Sequence, residues 1–117
     1  MTRIRLILAA SSALLALIAA GPANAATKLV ATVGPGFTIT LKKAGKKVTT
    51  LPAGAYTITV QDKSSSHNFS LSGPGIKKST TVGFVGTKTW NVTMRKGKFA
   101  YACMPHASSM RGSFTVE

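Results

Sequence analysis

Residues Lys88 to Val116 read KTWNVTMRKGKFAYACMPHASSMRGSFTV, and the fold class is decided in this stretch. Trp90, Val92 and Met94 alternate with Asn91 and Thr93, which sets an inward apolar row against a solvent-facing polar one. Lys96-Gly97 supplies a turn, and Lys98 to Cys103 makes a second strand. A third runs from Gly112 to Val116, with Phe114 and Val116 inward and Ser113 and Thr115 outward.

The same period-two pattern extends upstream. Strands are predicted at Lys28 to Val33, Thr38 to Lys42, Ala55 to Gln61 (Tyr56, Ile58 and Val60 on one face) and His67 to Leu71. Turn chemistry separates them: Gly34-Pro35-Gly36, Lys43-Ala44-Gly45-Lys46, Pro52-Ala53-Gly54, Ser64-Ser65-Ser66 and Gly73-Pro74-Gly75. No long stretch keeps apolar residues at helical spacing. Seven short strands spaced by turns predict an all-β chain folded as a Greek-key β-sandwich. Neither an internal repeat nor a second domain is visible.

At the amino terminus Arg3 and Arg5 precede an apolar run from Leu6 to Ala20, and Ala23-Asn24-Ala25 closes the segment. Residues 1–25 read as a secretory signal peptide, the run being short for a membrane span of roughly 20 apolar residues. The expectation is an exported chain, periplasmic or extracellular, with no membrane span after cleavage and one domain over residues 26–117. A domain of about 90 residues buries only about two-thirds of its unfolded surface and often relies on a covalent or metal staple. Cys103 is the one cysteine, which excludes an intramolecular disulfide. A metal is the remaining staple.

The formal charge is +13, and loss of Arg3 and Arg5 with the leader brings it to +11, with Asp62 and Glu117 the only acids. Such a domain suits an acidic partner or anionic surface, or simply solubility in an acidic medium. Nucleic-acid binding is not expected, because the aromatics fall in strand patterns rather than among exposed basic residues.

The chemistry concentrates between the last two predicted strands. Cys103, His106 and Met110 place a thiolate, an imidazole and a thioether in one short loop, and His67 begins an earlier strand. Two imidazoles, one thiolate and a weak thioether make the ligand set of a trigonal copper electron-transfer site. Soft sulfur donors favour Cu(I), imidazole tolerates both oxidation states, and a packed sandwich holds the donors still while an electron moves. Met110 also has a packing reading, since methionine is a common gap filler. Met104 reads as exposed loop, and Met94, Tyr56, Trp90, Phe99, Tyr101 and Phe114 as core.

Cys103-x-x-His106-x-x-x-Met110, followed by Gly112-x-Phe114-x-Val116 and preceded upstream by His67-Asn68-Phe69, resembles the cupredoxins, the small blue copper proteins that include plastocyanin and azurin. Gly54-Ala-Tyr56 and Gly97-x-Phe99-x-Tyr101 are similar too. The resemblance implies one copper ion cycling between Cu(I) and Cu(II), with His67, Cys103 and His106 as equatorial ligands and Met110 as the axial one. It implies that Asn68 ties the two ligand segments together and that electrons pass through the ring edge of His106. The loop is a hybrid: its Cys to His spacing matches plastocyanin, and its His to Met spacing matches azurin.

The function this reading favours is a monomeric one-electron carrier that docks on a redox partner protein with an acidic surface. The alternative is copper binding and handling in the envelope without fast redox cycling. Catalysis is not expected. Cys103 and His106 share one tight loop, no oxyanion element accompanies them, and two histidines are too few for multicopper chemistry. A closed structural zinc site usually has more cysteines.

Overall fold

The computed structural model describes residues 25–117. The signal-peptide reading of residues 1–25 therefore lies outside the described residues, Ala25 apart.

Two five-stranded sheets face one another. The first contains β1 (Thr27–Val33), β2 (Ile39–Lys43), β3 (Lys46–Lys47), β5 (Gly54–Asp62) and β8 (Gly86–Met94), in the order β3-β2-β1-β5-β8. The second contains β4 (Thr50–Leu51), β6 (Ser70–Gly73), β7 (Ile76–Ser79), β9 (Gly97–Ala102) and β10 (Arg111–Val116), in the order β4-β10-β9-β6-β7. Pairing is antiparallel except for β1 with β5 and β10 with β4. The chain changes sheet repeatedly, so the strands that meet are often distant in sequence. The expected all-β Greek-key sandwich is the fold.

Alternation explains the core. Leu29, Ala31 and Val33 of β1, Tyr56, Ile58 and Val60 of β5, and Val92 and Met94 of β8 point inward, against Leu71, Phe99, Tyr101, Phe114 and Val116 of the facing sheet. Each large apolar side chain withdrawn from water contributes about 1.5–3 kcal/mol. Phe99 stacks on Phe114 with centroids 5.2 Å apart, and Tyr101 stacks on Phe69 at 5.5 Å. Trp90, expected inside, is only partly buried and lies tilted against Phe69 at 6.0 Å, because β8 is an edge strand with a neighbour on one side only.

Three short strands, β3, β4 and β7, were not anticipated, since two-residue strands carry no periodicity and β7 reads Ile-Lys-Lys-Ser with no buried residue. The predicted strand from His67 also needs correction: regular pairing begins only at Ser70. His67, Asn68 and Phe69 are buried in an irregular segment, where the Phe69 N–H donates to Thr80 Oγ1 at 2.9 Å rather than to a neighbouring strand. This break in the ladder frees His67 from the sheet's pleat.

Candidate metal centre

The inward face of β5 continues past Val60 to Asp62, so period two carries a carboxylate into the interior at the strand's end. Its Oδ1 accepts the Ser64 N–H at 3.0 Å, Ser64 Oγ accepts the Ser66 N–H at 3.2 Å, and the His67 N–H donates to the Ser64 carbonyl at 3.3 Å. This serine turn ends by presenting His67 at the end of the sandwich. Gly34, buried in the loop after β1, has φ of 71° and lies against the same segment; a methyl there would press on Ser64 Cβ at 3.1 Å.

On the other side, β9 ends at Ala102 and delivers Cys103, after which Met104–His106 form a single 3-10 turn with Pro105 inside it. The loop closes on itself. The Cys103 N–H donates to the Met110 carbonyl at 2.9 Å, the Met110 N–H to the His106 carbonyl at 2.8 Å, and the His106 N–H to the Cys103 carbonyl at 3.0 Å. Met110 is fully buried beside the strand that leaves as β10. Asn68 joins the two segments: its Oδ1 accepts the Met104 N–H at 2.7 Å and its Nδ2 donates to the Thr80 carbonyl at 3.1 Å. Thr80, which sequence reasoning missed, holds both Asn68 and Phe69; nothing in its local pattern marks it.

Three donor atoms converge. Cys103 Sγ lies 3.7 Å from His67 Nδ1 and 3.6 Å from His106 Nδ1, and the two Nδ1 atoms are 3.1 Å apart. A point equidistant from all three lies about 2.0 Å from each, close to the roughly 2.0–2.3 Å of metal bonds to imidazole and thiolate. Cys103 and His67 are buried and His106 is half-buried, so only one donor reaches the surface. Phe37 covers this end, its ring edge-on to both imidazoles, with centroids 5.4 Å from His67 and 5.0 Å from His106. No sequence signal marked Phe37, because it sits in a loop and only the fold brings it here.

The donor set fits one copper ion. Among the described residues His67, Cys103 and His106 are the one group of three such donors placed to hold a metal. Fold and donor geometry together define a cupredoxin-type β-sandwich with one cluster of soft and imidazole donors placed to hold a metal ion.

No family model matches the sequence, and no curated protein matches it closely enough to count. Solved structures do match. Reduced rusticyanin is 24% identical, with 77% of this chain and 78% of that one covered at a TM-score of 0.58. Rusticyanin from Thiobacillus ferrooxidans is 24% identical, with 77% and 76% covered at 0.55. Dithionite-reduced auracyanin from the photosynthetic bacterium Roseiflexus castenholzii is 20% identical, with 80% and 98% covered at 0.55. At these identities the likeness is one of fold, and it extends over nearly all of the auracyanin chain.

Proposed function

We propose that this chain is an exported blue-copper protein that works as a one-electron carrier, with His67, Cys103, His106 and Met110 as the residues that would hold the copper. The observation that carries the reading is the triangle of one Sγ and two Nδ1 atoms whose common centre lies at bonding distance from all three. When bound there, copper would supply one-electron chemistry between its cuprous and cupric states.

The protein's own residues supply the rest. Asn68, the serine turn after Asp62 and the closed loop from Cys103 to Met110 fix the donor atoms, so little needs to rearrange when the charge changes. Burial of Cys103 keeps solvent oxidants from the thiolate. His106 is the half-buried donor, and the exposed Met104 and Phe37 beside it make an apolar rim through which a partner can approach the imidazole edge. Rusticyanin, a copper protein by its own description, and auracyanin share the fold that this reading requires.

The test is to add one equivalent of Cu(II) to the metal-free protein and record visible absorption and electron paramagnetic resonance on the same sample. An intense red-region thiolate-to-metal band with narrow hyperfine splitting, lost in Cys103→Ser, is the expected result. Weak bands, thiol oxidation by the added metal, or slow self-exchange of electrons would instead favour copper handling.

A further inference from the structure

The hairpin of β2 and β3 is built at a cost. Lys42 pairs directly with Lys47, and Lys43 with Lys46, so two like-charged pairs face one another across the strands, an arrangement that destabilises a sheet. The turn between them places Ala44 at φ 48°, in the left-handed region that side chains other than Gly, Asn and Asp rarely adopt. No carboxylate offsets the charge. Asp62 is buried at the end of β5, and Glu117 pairs through its backbone with Leu51 and Ala53.

Lys42 and Lys47 meet Arg111, the first residue of β10, around a depression of about 290 Å³ that Tyr101 also lines. Three cations from three strands thus surround one concavity. It adjoins a larger hollow of about 700 Å³, which Lys47, Tyr101 and Arg111 share with Ala107. Ala107 follows His106, and Arg111 follows Met110, so the basic cleft runs up to the ligand loop itself.

From these features we propose that Lys42, Lys47 and Arg111 form the docking cleft for a carboxylate-rich surface of a redox partner protein. The proposal rests on the electron-carrier reading for its biological use, although the cleft's chemistry does not depend on the metal. A concave site suits side chains projecting from a protein better than a flat lipid surface. The apolar rim of Met104 and Phe37 beside a charged flank also matches the anatomy of protein interfaces, with an apolar centre and a polar margin. Docked there, a partner's acidic residues offset the Lys42–Lys47 repulsion while its redox group lies against His106.

The experiment uses hexaglutamate as the probe, titrated into both the copper-loaded and the metal-free protein and followed by backbone amide chemical shifts. K42E/K47E is compared with K77E/K78E, a pair on β7 that changes net charge equally, and K42Q/K47Q serves if the reversal perturbs folding. Affinity falling by about tenfold in the cleft pair and by less than about threefold in the β7 pair, with shifts centred on Lys42, Lys47, Tyr101 and Arg111, is the expected result. Equal losses in both pairs would reduce the effect to net charge and overturn the proposal. So would cleft-dependent binding to phosphatidylglycerol vesicles without binding of hexaglutamate, which would make the surface a membrane contact. Because the metal-free protein is titrated too, failure of copper binding and failure of docking are read separately.

Discussion

Asn68 Oδ1 accepts the Met104 backbone N–H at 2.7 Å across 36 residues of sequence, and that bond holds the His67 segment against the cysteine loop. Asn68→Ala removes it together with the bond to the Thr80 carbonyl, leaving two backbone groups without their partner. Each such loss costs about 1–3 kcal/mol, so the variant is expected to be roughly 2–6 kcal/mol less stable by urea unfolding. Asn68→Asp keeps the acceptor for Met104 and should bind metal more tightly than the alanine variant. Equal metal affinities for the two would show that the bond does not align the ligands.

Phe37 is 70% exposed yet touches both imidazoles edge-on. Phe37→Ala should leave unfolding free energy within about 0.5 kcal/mol of the parent, because little of the ring is withdrawn from water. Release of copper to a competing chelator should nevertheless quicken by roughly threefold to tenfold, since edge-to-face contacts of about 0.5–1.5 kcal/mol no longer restrain the rings. An unchanged release rate would assign Phe37 to the outer surface alone.

Met110 is fully buried, so its packing and its sulfur can be separated. Met110→Ala opens a cavity and should cost about 2–5 kcal/mol, whereas Met110→Leu keeps the volume and should cost less than about 1.5 kcal/mol. The leucine variant is expected to retain the thiolate band and to show a higher reduction potential by voltammetry. Removing a donor destabilises the more highly charged cupric ion most, and at a weak, distant thioether this loss outweighs sulfur's soft preference for Cu(I). An unshifted potential would mean that the thioether does not coordinate.

Burial holds the Asp62 carboxyl above the ordinary carboxylate pKa, an effect that the Ser64 N–H and the nearby charge of His67 only partly oppose. Between the ordinary and the raised value, the folded protein keeps a proton that the unfolded chain has released. Stability contributed by the neutral acid is therefore present at low pH and lost as pH rises through that window. Among the described residues Asp62 Oδ2 has no hydrogen-bond partner, which is consistent with this cost. In the metal-free protein Asp62→Asn should match the parent below the ordinary carboxylate pKa and exceed it in stability near neutrality. Urea unfolding across pH checks this, and a variant less stable at neutral pH would show that the charged form is the one the fold needs.

Most of the sandwich was legible in the sequence because its strands are half-buried: alternation at Tyr56, Ile58 and Val60 or at Phe114 and Val116 is a local property that the folded protein preserves. The edge strand β7 was not legible, since only Ile76 is partly withdrawn against the core and the three residues after it are exposed, which leaves no alternation. The strand placed at His67 began three residues too early for a related reason. His67, Asn68 and Phe69 have the composition of a strand, but their polar groups are satisfied by Thr80 and the Met104 backbone, partners that no local pattern reveals.

The candidate donors, the one-cysteine arithmetic and the basic charge were legible in the sequence alone, because they depend on residue type and short spacing. What only the tertiary structure decided is where distant groups meet. It brings His67 Nδ1 within 3.1 Å of His106 Nδ1, sets Phe37 over both, buries Asp62 beneath the serine turn and gathers Lys42, Lys47 and Arg111 around one cleft. These meetings follow from which strands pair and how the two sheets stack. Strand pairing is fixed by the summed packing of the whole core, which no single stretch of the chain contains.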